Sequence, residues 1–389
     1  MNKISTLQIH HPYEAPSDFG AFAPAVHKAS TVFFPHAQAL RQRSVFNRQA
    51  YTYGLHGTPT VYTLEERIAS LEGGQFCVLA PSGLAAISIV NLGLLRSGDE
   101  VLLPHNVYGP SKEQAHSLLS RWGVACKFYD ALDPASLQQQ LGPRSRLVWV
   151  EAPGSVTMEF PDMRALVDIA KAAGAVCALD NTWGCGIAFC AFDFGFDVSM
   201  HALTKYPSGG ADVLMGSVVT RDEELHRQLL QAHSILGIGV AANDVELVLR
   251  SLPTLDIRYR AHDTSARHLA QWLSQQSPVV QVLHPALPGS PGHEYWKRDC
   301  GASAGLFSIV LDPAFTQQQV DAFVDGLKLF RLGFSWGGPM SLAVPYDLKA
   351  MRGEGKGYPG HLVRLCIGLE DTQDLQSDLA QSLSAAFGL

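Results

Sequence analysis

The 389-residue sequence lacks the motifs that mark several large classes of protein. No two cysteines have CxxC spacing and the 15 histidines include no HExxH, which argues against a zinc site. There is no Walker A loop and no clear GxGxxG fingerprint, so ATP and NAD are poor candidate ligands. No block of lysines and arginines occurs and the formal net charge is −7, which argues against a nucleic-acid-binding surface.

Long apolar runs are also missing. The longest candidate, residues 83–95, is too short to cross a bilayer and contains Asn91. Residues 1–13 hold no apolar segment of the kind found in secretory signals. The seven cysteines, an odd number, lie mostly in apolar runs and suit a reducing compartment better than a disulfide framework. The sequence therefore predicts a cytoplasmic protein without a membrane partner.

What is present is a globular composition, 47% hydrophobic and 17% charged, with a change of pattern along the chain. Residues 1–58 are irregular and rich in aromatics, so we predict an arm that lies on its own or another subunit; a loosely ordered tail is the alternative. Residues 59–245 alternate strand-like and helix-like runs, and residues 246–389 predict a smaller C-terminal domain. This alternation predicts an α/β fold with a mostly parallel sheet covered on both faces.

The expected elements can be placed from periodicity and end signals. A helix is expected to start at Thr63, capped together with Glu66, and one long helix is expected over 244–273. Further helices are expected over 110–121, 162–173, 317–327 and 372–386. The expected strands are 76–80, 100–103, 125–129, 147–151, 176–179, 198–202, 213–219, 279–283, 306–311 and 362–367.

Lys205 ends an apolar, β-prone run and stands before a Pro/Gly turn. A desolvated amine in that position can lose its proton and attack a carbonyl, although most lysines before a turn are solvated. Asp180 ends another apolar run upstream. A lysine that can form a Schiff base and a carboxylate that can face a pyridine nitrogen are what pyridoxal 5′-phosphate (PLP) requires of a protein.

Other predicted strands also end in loops with binding potential. Gly83 follows a strand and opens an apolar helix, whose free N–H groups suit a phosphate; an ordinary βα turn is the alternative. Tyr108 could stack on a flat ligand or merely cover the sheet edge. Ser155 lies in the loop that begins at Glu151. Since ligands bind at the carboxyl ends of parallel strands, we expect these loops to meet.

Arg364 is a lone cation in an apolar strand and needs an anionic partner. Its planar fork fits a carboxylate of a ligand. An internal salt bridge with Glu370 or Glu151 is the alternative. The loop Ser335-Trp336-Gly337-Gly338 is expected to lie against the ligand.

Along nearly its whole length the chain resembles the PLP-dependent Cys/Met metabolism (trans-sulfuration) enzymes. The Trp-bearing loop and residues 151–159 favour the β-lyase branch of that family. The matching motifs are Leu-Glu-Gly-Gly at 71–74, Pro-Ser-Gly at 81–83, Glu-Ala-Pro-Gly-Ser-Val-Thr-Met-Glu at 151–159, Asp-Asn-Thr-Trp at 180–183, Thr-Lys-Tyr at 204–206, His-Pro-Ala-Leu-Pro-Gly at 284–289, Gly-His-Glu at 292–294, Phe-Ser-Trp-Gly-Gly at 334–338 and Leu-Val-Arg-Leu-Cys-Ile-Gly-Leu-Glu-Asp at 362–371.

The resemblance implies an aspartate aminotransferase-like fold (fold type I) and PLP as cofactor. It implies carbon–sulfur β-elimination from L-cystathionine or a related sulfur amino acid, with γ-lyase or γ-synthase chemistry as the alternative. It also implies a homotetramer whose dimers share active sites. The resemblance implies that Lys205 forms the Schiff base and transfers the proton, that Asp180 pairs with the pyridine nitrogen, and that Tyr108 stacks on the ring. It implies cofactor binding for Ser155 and phosphate binding for Gly83, Leu84, Thr204 and the neighbouring subunit's Tyr53. It implies substrate binding for Arg364, Ser335 and Trp336.

One departure from the family pattern concerns the substrate. The family places an arginine two residues after Tyr53, where this chain has Leu55. Loss of that cation weakens phosphate binding from the partner chain and removes a contact for the far carboxylate of cystathionine. The departure leaves open whether cystathionine, cystine or cysteine is preferred.

Overall fold

The structure is a computed structural model that describes residues 3–13, 18–47, 50–352 and 357–388. Parts of the predicted arm therefore lie outside the described residues. Two sheets organise the described chain, one of seven strands and one of five. The strands are β1 (Phe76–Ala80), β2 (Glu100–Pro104), β3 (Ala125–Tyr129), β4 (Ser145–Glu151), β5 (Val176–Asp180), β6 (Val198–His201), β7 (Gly216–Thr220), β8 (Val279–Leu283), β9 (Leu306–Leu311), β10 (Arg331–Leu332), β11 (Leu342–Tyr346) and β12 (His361–Cys366).

Helices connect and cover these strands. The α-helices are α1 (Ile4–Ile9), α2 (Ala37–Arg41), α3 (Pro59–Glu72), α4 (Gly83–Leu94), α5 (Gly109–Gln114), α6 (Pro134–Gln140), α7 (Met163–Ala172), α8 (Glu223–Leu236), α9 (Ala242–Ser251), α10 (Leu255–Leu273), α11 (His293–Asp299), α12 (Gln317–Asp325), α13 (Leu348–Arg352) and α14 (Thr372–Phe387). Among the described residues, no helix combines the length and apolarity needed to span a membrane.

The large sheet has the order β1-β7-β6-β5-β4-β2-β3. Strands β3, β2, β4, β5 and β6 run parallel, whereas β7 is antiparallel to both of its neighbours. The predicted α/β fold with a mostly parallel large sheet is therefore confirmed. The parallel strands end at the same edge of the sheet, so the loops that follow them are brought together.

Both faces of the large sheet are buried. In β2, Leu102 packs into one apolar core, while Val101 and Leu103 pack into the other, because successive side chains of a strand point to opposite faces. Helices α3 and α7 cover the first face, for example with Leu64. Helices α4 and α8 cover the second.

The smaller sheet has the order β10-β11-β12-β9-β8 and packs against α10, α12 and α14. Strand β12 lies between β11 and β9, antiparallel to both. Strands β10 and β11 are absent from the sequence-based expectations, since Arg331 and Leu332 are both exposed and Pro345 lies inside β11. The division into an arm and two domains stays a prediction, and its boundary at residue 245 falls inside α9.

Three expected helices differ from the structure. The one expected over 110–121 is an α-helix over Gly109–Gln114, a π-helix over Ala115–Leu119 and a 3-10 helix over Ser120–Trp122. The helix expected at Thr63 begins at Pro59, because Thr58 caps it and proline fits the first helical position. The helix expected over 244–273 is divided at Pro253: α9 ends, a 3-10 turn spans Leu252–Thr254, and α10 follows. Proline lacks the N–H that a continuous helix needs there.

Candidate active site

All of the predicted site residues except Tyr53 and Ser335 line one cavity, whose volume is about 210 Å³. The cavity lies at the edge of the large sheet where the parallel strands end, and Arg364 reaches it from β12. The amine, the carboxylate and the guanidinium therefore converge, as the sequence predicted. The predicted residues in the lining are Gly83, Leu84, Tyr108, Ser155, Asp180, Thr204, Lys205, Trp336 and Arg364.

The N-terminus of α4 forms one wall of the cavity. The Ser82 side chain caps this helix by accepting a hydrogen bond from the Ala85 N–H at 3.0 Å. Among the described residues, the N–H groups of Gly83 and Leu84 have no acceptor. A Cβ added to Gly83 would lie 2.7 Å from the Ala202 Cβ, so glycine allows α4 to approach the end of β6. The free N–H groups and the helix dipole suit an anion.

Asp180 ends β5 at the base of the cavity. Its Oδ1 accepts hydrogen bonds from the Thr182 N–H at 3.1 Å and from the Thr182 hydroxyl at 2.5 Å. Thr182 also accepts a bond from the Ala202 N–H at 3.0 Å, which ties β5 to the turn after β6. Burial raises the pKa of Asp180, and the Thr182 hydrogen bonds oppose that rise. A cationic partner would therefore hold this carboxylate in its ionised form.

Glu151 has a larger role than the sequence analysis assigned to it. Its carboxylate accepts a hydrogen bond from the Tyr108 N–H at 2.7 Å and another from the Ser155 hydroxyl. It thus holds the aromatic and the hydroxyl that were predicted at two separate strand ends. Burial, followed by repulsion from Asp180, raises the pKa of Glu151 to about 8. Its place as the last residue of a strand and the first of a matching motif was the available signal.

Lys205 lies in the turn between β6 and β7, four residues beyond the end of β6, and not at the strand end that we expected. Its amine donates a hydrogen bond to the Ser335 hydroxyl at 3.0 Å and lies 5.4 Å from the centre of the Trp336 ring. Ser335 adopts a φ of 115°, a strained conformation for a residue with a side chain. Ser335 does not line the cavity, but it contacts the amine that does.

The electrostatic environment of Lys205 favours the neutral amine. Burial, followed by repulsion from Arg364, lowers the pKa of Lys205 to about 8. Attraction to Asp180 acts in the opposite direction but is weaker. An amine with this pKa is a nucleophile at near-neutral pH.

Arg364 has no acidic partner among the described residues. Its guanidinium donates to the Ser335 carbonyl at 3.4 Å and lies 5.2 Å from the centre of the Tyr346 ring. Glu370 instead accepts hydrogen bonds from the N–H and hydroxyl of Ser341. The alternative of an internal salt bridge with Glu370 or Glu151 is therefore wrong, and the guanidinium of Arg364, a buried residue that lines the cavity, is available to an anionic ligand.

Thr204 has a structural role besides its place in the cavity lining, and Tyr53 lies apart from the cavity. The Thr204 hydroxyl donates to the Met215 carbonyl at 3.1 Å and accepts from the Met215 N–H at 3.0 Å, so it also holds the turn that carries Lys205. Tyr53 is 48% exposed and lies outside the cavity of its own chain.

Comparison with known proteins identifies the family to which this chain belongs. Residues 5–384 match the model of the Cys/Met metabolism PLP-dependent enzymes. This chain is a member of that family. It is 41% identical to the cystathionine beta-lyase of Bordetella avium, with 98% of each chain covered, and 37% identical to that of Escherichia coli K12, with 97% of each covered. The crystal structure of cystathionine gamma synthase from Xanthomonas oryzae pv. oryzae, with aminoacrylate and cysteine, has a TM-score of 0.90 at 33% identity and covers 100% of this chain and 99% of its own.

PLP is the cofactor of this family, and the cavity of this family member fits it. A neutral-prone amine, a buried carboxylate, an aromatic ring and unbonded helix N–H groups surround one space. The amine suits the aldehyde of PLP, the carboxylate suits the ring nitrogen, the aromatic ring suits the ring face, and the helix N–H groups suit the phosphate. The predictions of the family, the fold and the cofactor are thus confirmed.

The lowered pKa of Lys205 leads to a pH prediction for the cofactor-free enzyme. Only the neutral amine attacks the PLP aldehyde, so we expect the rate of cofactor attachment to rise about fivefold from pH 7 to pH 8 and to level off above pH 9. The measurement is stopped-flow absorbance after mixing with PLP. A rate that still increased tenfold per unit above pH 9 would indicate a lysine with an ordinary pKa.

Proposed function

We propose that this chain is a PLP-dependent carbon–sulfur β-lyase that converts L-cystathionine and water to L-homocysteine, pyruvate and ammonia. The observation that carries the proposal is that the guanidinium of Arg364, without an acidic partner among the described residues, shares a cavity with the Lys205 amine, whose pKa is lowered by burial. An amino acid bound through its α-carboxylate at Arg364 brings its α-carbon towards that amine. The similarity to proteins named cystathionine beta-lyase supports this choice within the family.

The residues of the chain then have separate tasks. Arg364 and the Ser335 loop hold the α-carboxylate. Lys205 accepts the α-proton. The Ser335 hydroxyl holds the amine in place, and burial lowers the pKa of Lys205, so a larger share of the amine is neutral near pH 7 than for an exposed lysine. When bound, PLP supplies the electron sink that makes loss of this proton and of the β-thiolate feasible. With PLP bound, Asp180 would pair with the ring nitrogen and Tyr108 would stack on the ring.

The phosphate group of the cofactor is assigned to the N-terminus of α4. We propose that the N–H groups of Gly83 and Leu84 bind it, with the Thr204 and Ser155 hydroxyls close to the cofactor. For Thr204 this role requires exchange of its bond to the Met215 carbonyl for one to the ligand, since a hydroxyl has a single proton.

The assembly belongs to the same proposal. We propose a homotetramer in which the arm of one subunit places Tyr53 at the phosphate of its neighbour. The arm exposes large aromatic side chains such as Phe33, which is 92% exposed in the single chain. Sedimentation velocity on the purified protein tests the tetramer directly, and a monomer would refute this part.

Replacement of Arg364 by alanine is expected to reduce kcat/KM for cystathionine about 100-fold, mainly through KM. A charge-assisted hydrogen bond to a carboxylate contributes up to about 3 kcal/mol, and 1.4 kcal/mol corresponds to tenfold. Arg364→Lys should recover only part of the loss, because ammonium cannot form the paired bonds of guanidinium. Arg331→Ala, an exposed arginine on β10 of the same sheet, is the control. A kcat/KM near that of the parent would show that another group holds the carboxylate.

A γ-lyase or γ-synthase is the second candidate, because the Xanthomonas gamma synthase has the same fold over the full chain. The experiment that separates the reactions is product analysis with cystathionine, cystine and cysteine as substrates. Pyruvate with homocysteine supports β-elimination, and 2-oxobutyrate with cysteine shows γ-chemistry and overturns the proposal. In the described lining the cations are Lys205 and Arg364, and Leu55 stands at the family's arginine position. Comparison of the rates with the three substrates therefore also measures whether cystathionine is preferred over cystine.

A further inference from the structure

A second polar cluster lies beneath the active site and contacts no solvent. Glu72, at the end of α3, is fully buried. Its Oε2 accepts hydrogen bonds from the Asn181 amide at 2.9 Å and the Ser199 hydroxyl at 2.6 Å. Its Oε1 lies 3.0 Å from Nδ1 of His201, whose ring is also fully buried. Among the described residues, Nε2 of His201 has no hydrogen-bond partner.

The Leu-Glu-Gly-Gly motif explains how a carboxylate comes to lie there. Helix α3 ends at Glu72 because Gly73 adopts a φ of 72°, where a side chain is strained. A Cβ on Gly73 would lie 2.7 Å from the Cys190 Sγ, and one on Gly74 would lie 2.2 Å from the Val219 side chain. The two glycines therefore let the helix stop against the sheet, with Glu72 directed underneath β5 and β6.

The cluster is connected to Asp180 on both sides. Asn181 follows Asp180 directly in the chain, so the bond from its amide to Glu72 fixes the end of β5. His201 ends β6 and precedes Ala202, whose N–H donates to the same Thr182 hydroxyl that donates to Asp180. The Glu72 carboxylate thus anchors both of the segments that position Asp180.

Charge gives this arrangement a further consequence. A fully buried carboxylate is costly unless a cation and hydrogen bonds compensate it, and His201 is the cation-capable neighbour. Attraction to His201 lowers the pKa of Asp180, in opposition to burial.

We propose that Glu72 and His201 are positioning residues that keep Asp180 ionised and aimed at the ring nitrogen of PLP. The proposal rests on the role assigned to Asp180 in the proposed function. The other titratable groups that interact with Asp180 among the described residues are Lys205, which attracts it, Glu151, which repels it, and the phenol of Tyr108. On the far side of the cluster, burial, followed by repulsion from Glu72, raises the pKa of the Cys185 thiol. Attraction to His201 thus acts on Asp180 against the effect of burial.

The test uses the holoenzyme and its Glu72→Gln and His201→Gln variants. Each variant removes one side chain of the Glu72–His201 pair, so Asp180 loses the attraction that favours its carboxylate form. Asp180 would then take more of the proton of the ring nitrogen, and the ring would become less positive. We expect the pH midpoint of the visible absorption of the bound cofactor to move upwards, because a less positive ring withdraws fewer electrons from the Lys205 nitrogen. We expect kcat to fall roughly tenfold, the size of coupling carried by packed neighbours of a site. The double variant should be no worse than either single variant, since the pair acts as one unit.

The controls separate electrostatics from folding. Glu66→Gln changes an exposed carboxylate on the same helix and should leave the midpoint unchanged. Ser199→Ala removes one hydrogen bond from Glu72 but keeps the contact between Glu72 and His201, so it should lower thermal stability without moving the midpoint. If Glu72→Gln does not fold, His201→Gln carries the test, because it leaves an amide beside the buried carboxylate.

An unchanged midpoint in His201→Gln, with reduced thermal stability alone, would overturn the proposal and leave a purely structural cluster. The Asp180→Asn variant distinguishes the source of such a failure. If Asp180→Asn also leaves the midpoint unchanged, the assignment of Asp180 to the ring nitrogen is wrong. If only the Asp180 variant moves it, that assignment stands and the role of Glu72 and His201 fails.

Discussion

Replacement of Lys205 by alanine is expected to abolish β-elimination, with a fall in kcat on the order of 10⁴-fold. Removal of a general base alone costs up to about 10⁴-fold, and this lysine is also the group that holds the cofactor covalently. The visible absorption of the attached cofactor should disappear, because the other lysines of the described chain lie outside the cavity. Steady-state assay of pyruvate release and an absorbance spectrum of the purified variant provide the measurements.

The matched control for this prediction is Lys297→Ala, which removes an exposed lysine from the end of α11. Its activity and spectrum should equal those of the parent. Since burial disfavours the charged form of Lys205, the Lys205 variant should fold at least as well as the parent without cofactor, and circular dichroism checks this. Retained turnover together with retained visible absorption would show that a different lysine binds PLP.

Replacement of Asp180 by asparagine is expected to lower kcat by roughly 10²- to 10⁴-fold while PLP remains attached to Lys205. The amide has the shape of the carboxylate and can still accept the Thr182 hydrogen bonds, but it cannot compensate a positive ring nitrogen. Loss of one partner from a buried charge pair costs about 3–5 kcal/mol, which corresponds to this range of rates. Single-turnover kinetics of the α-proton exchange measure the effect at the step concerned.

The same variant has an opposite expected effect on stability without cofactor. Burial raises the pKa of Asp180, so the folded protein binds its proton more tightly than the unfolded chain does. Stability is therefore lost as pH rises from about 3.9, the unfolded value, through the raised folded pKa. At pH 7, cofactor-free Asp180→Asn should thus melt at or above the temperature of the parent. A kcat within about tenfold of the parent would contradict the role of this carboxylate.

Several features of the site could be predicted because they depend on local signals. A strand followed by a turn and an apolar helix predicts the anion-binding terminus at Gly83. An isolated cation in an apolar strand marks Arg364, and apolar runs ending in polar residues mark Asp180 and Lys205. Parallel strand order then implies that most of these loops meet at one edge. None of this requires knowledge of distant contacts.

Other features depend on contacts between distant parts of the chain. The sequence offers Glu370 and Glu151 equally as partners of Arg364, and only the packing of Ser341 against Glu370 decides against the first. Glu151 holds Tyr108 across 43 residues of sequence, and Glu72 meets His201 across 129. No local pattern encodes such pairs.

By itself the sequence determined which residues carry charge into the site, because these follow from residue type and from spacing along single elements, and its motifs resembled those of the family that the comparison then identified. Tertiary structure alone decided which of those charges are paired, which are free, and which amine is desolvated enough to react. The reason is physical: a pKa and a hydrogen bond are set by the atoms within a few ångströms, and the fold chooses those atoms from remote parts of the chain.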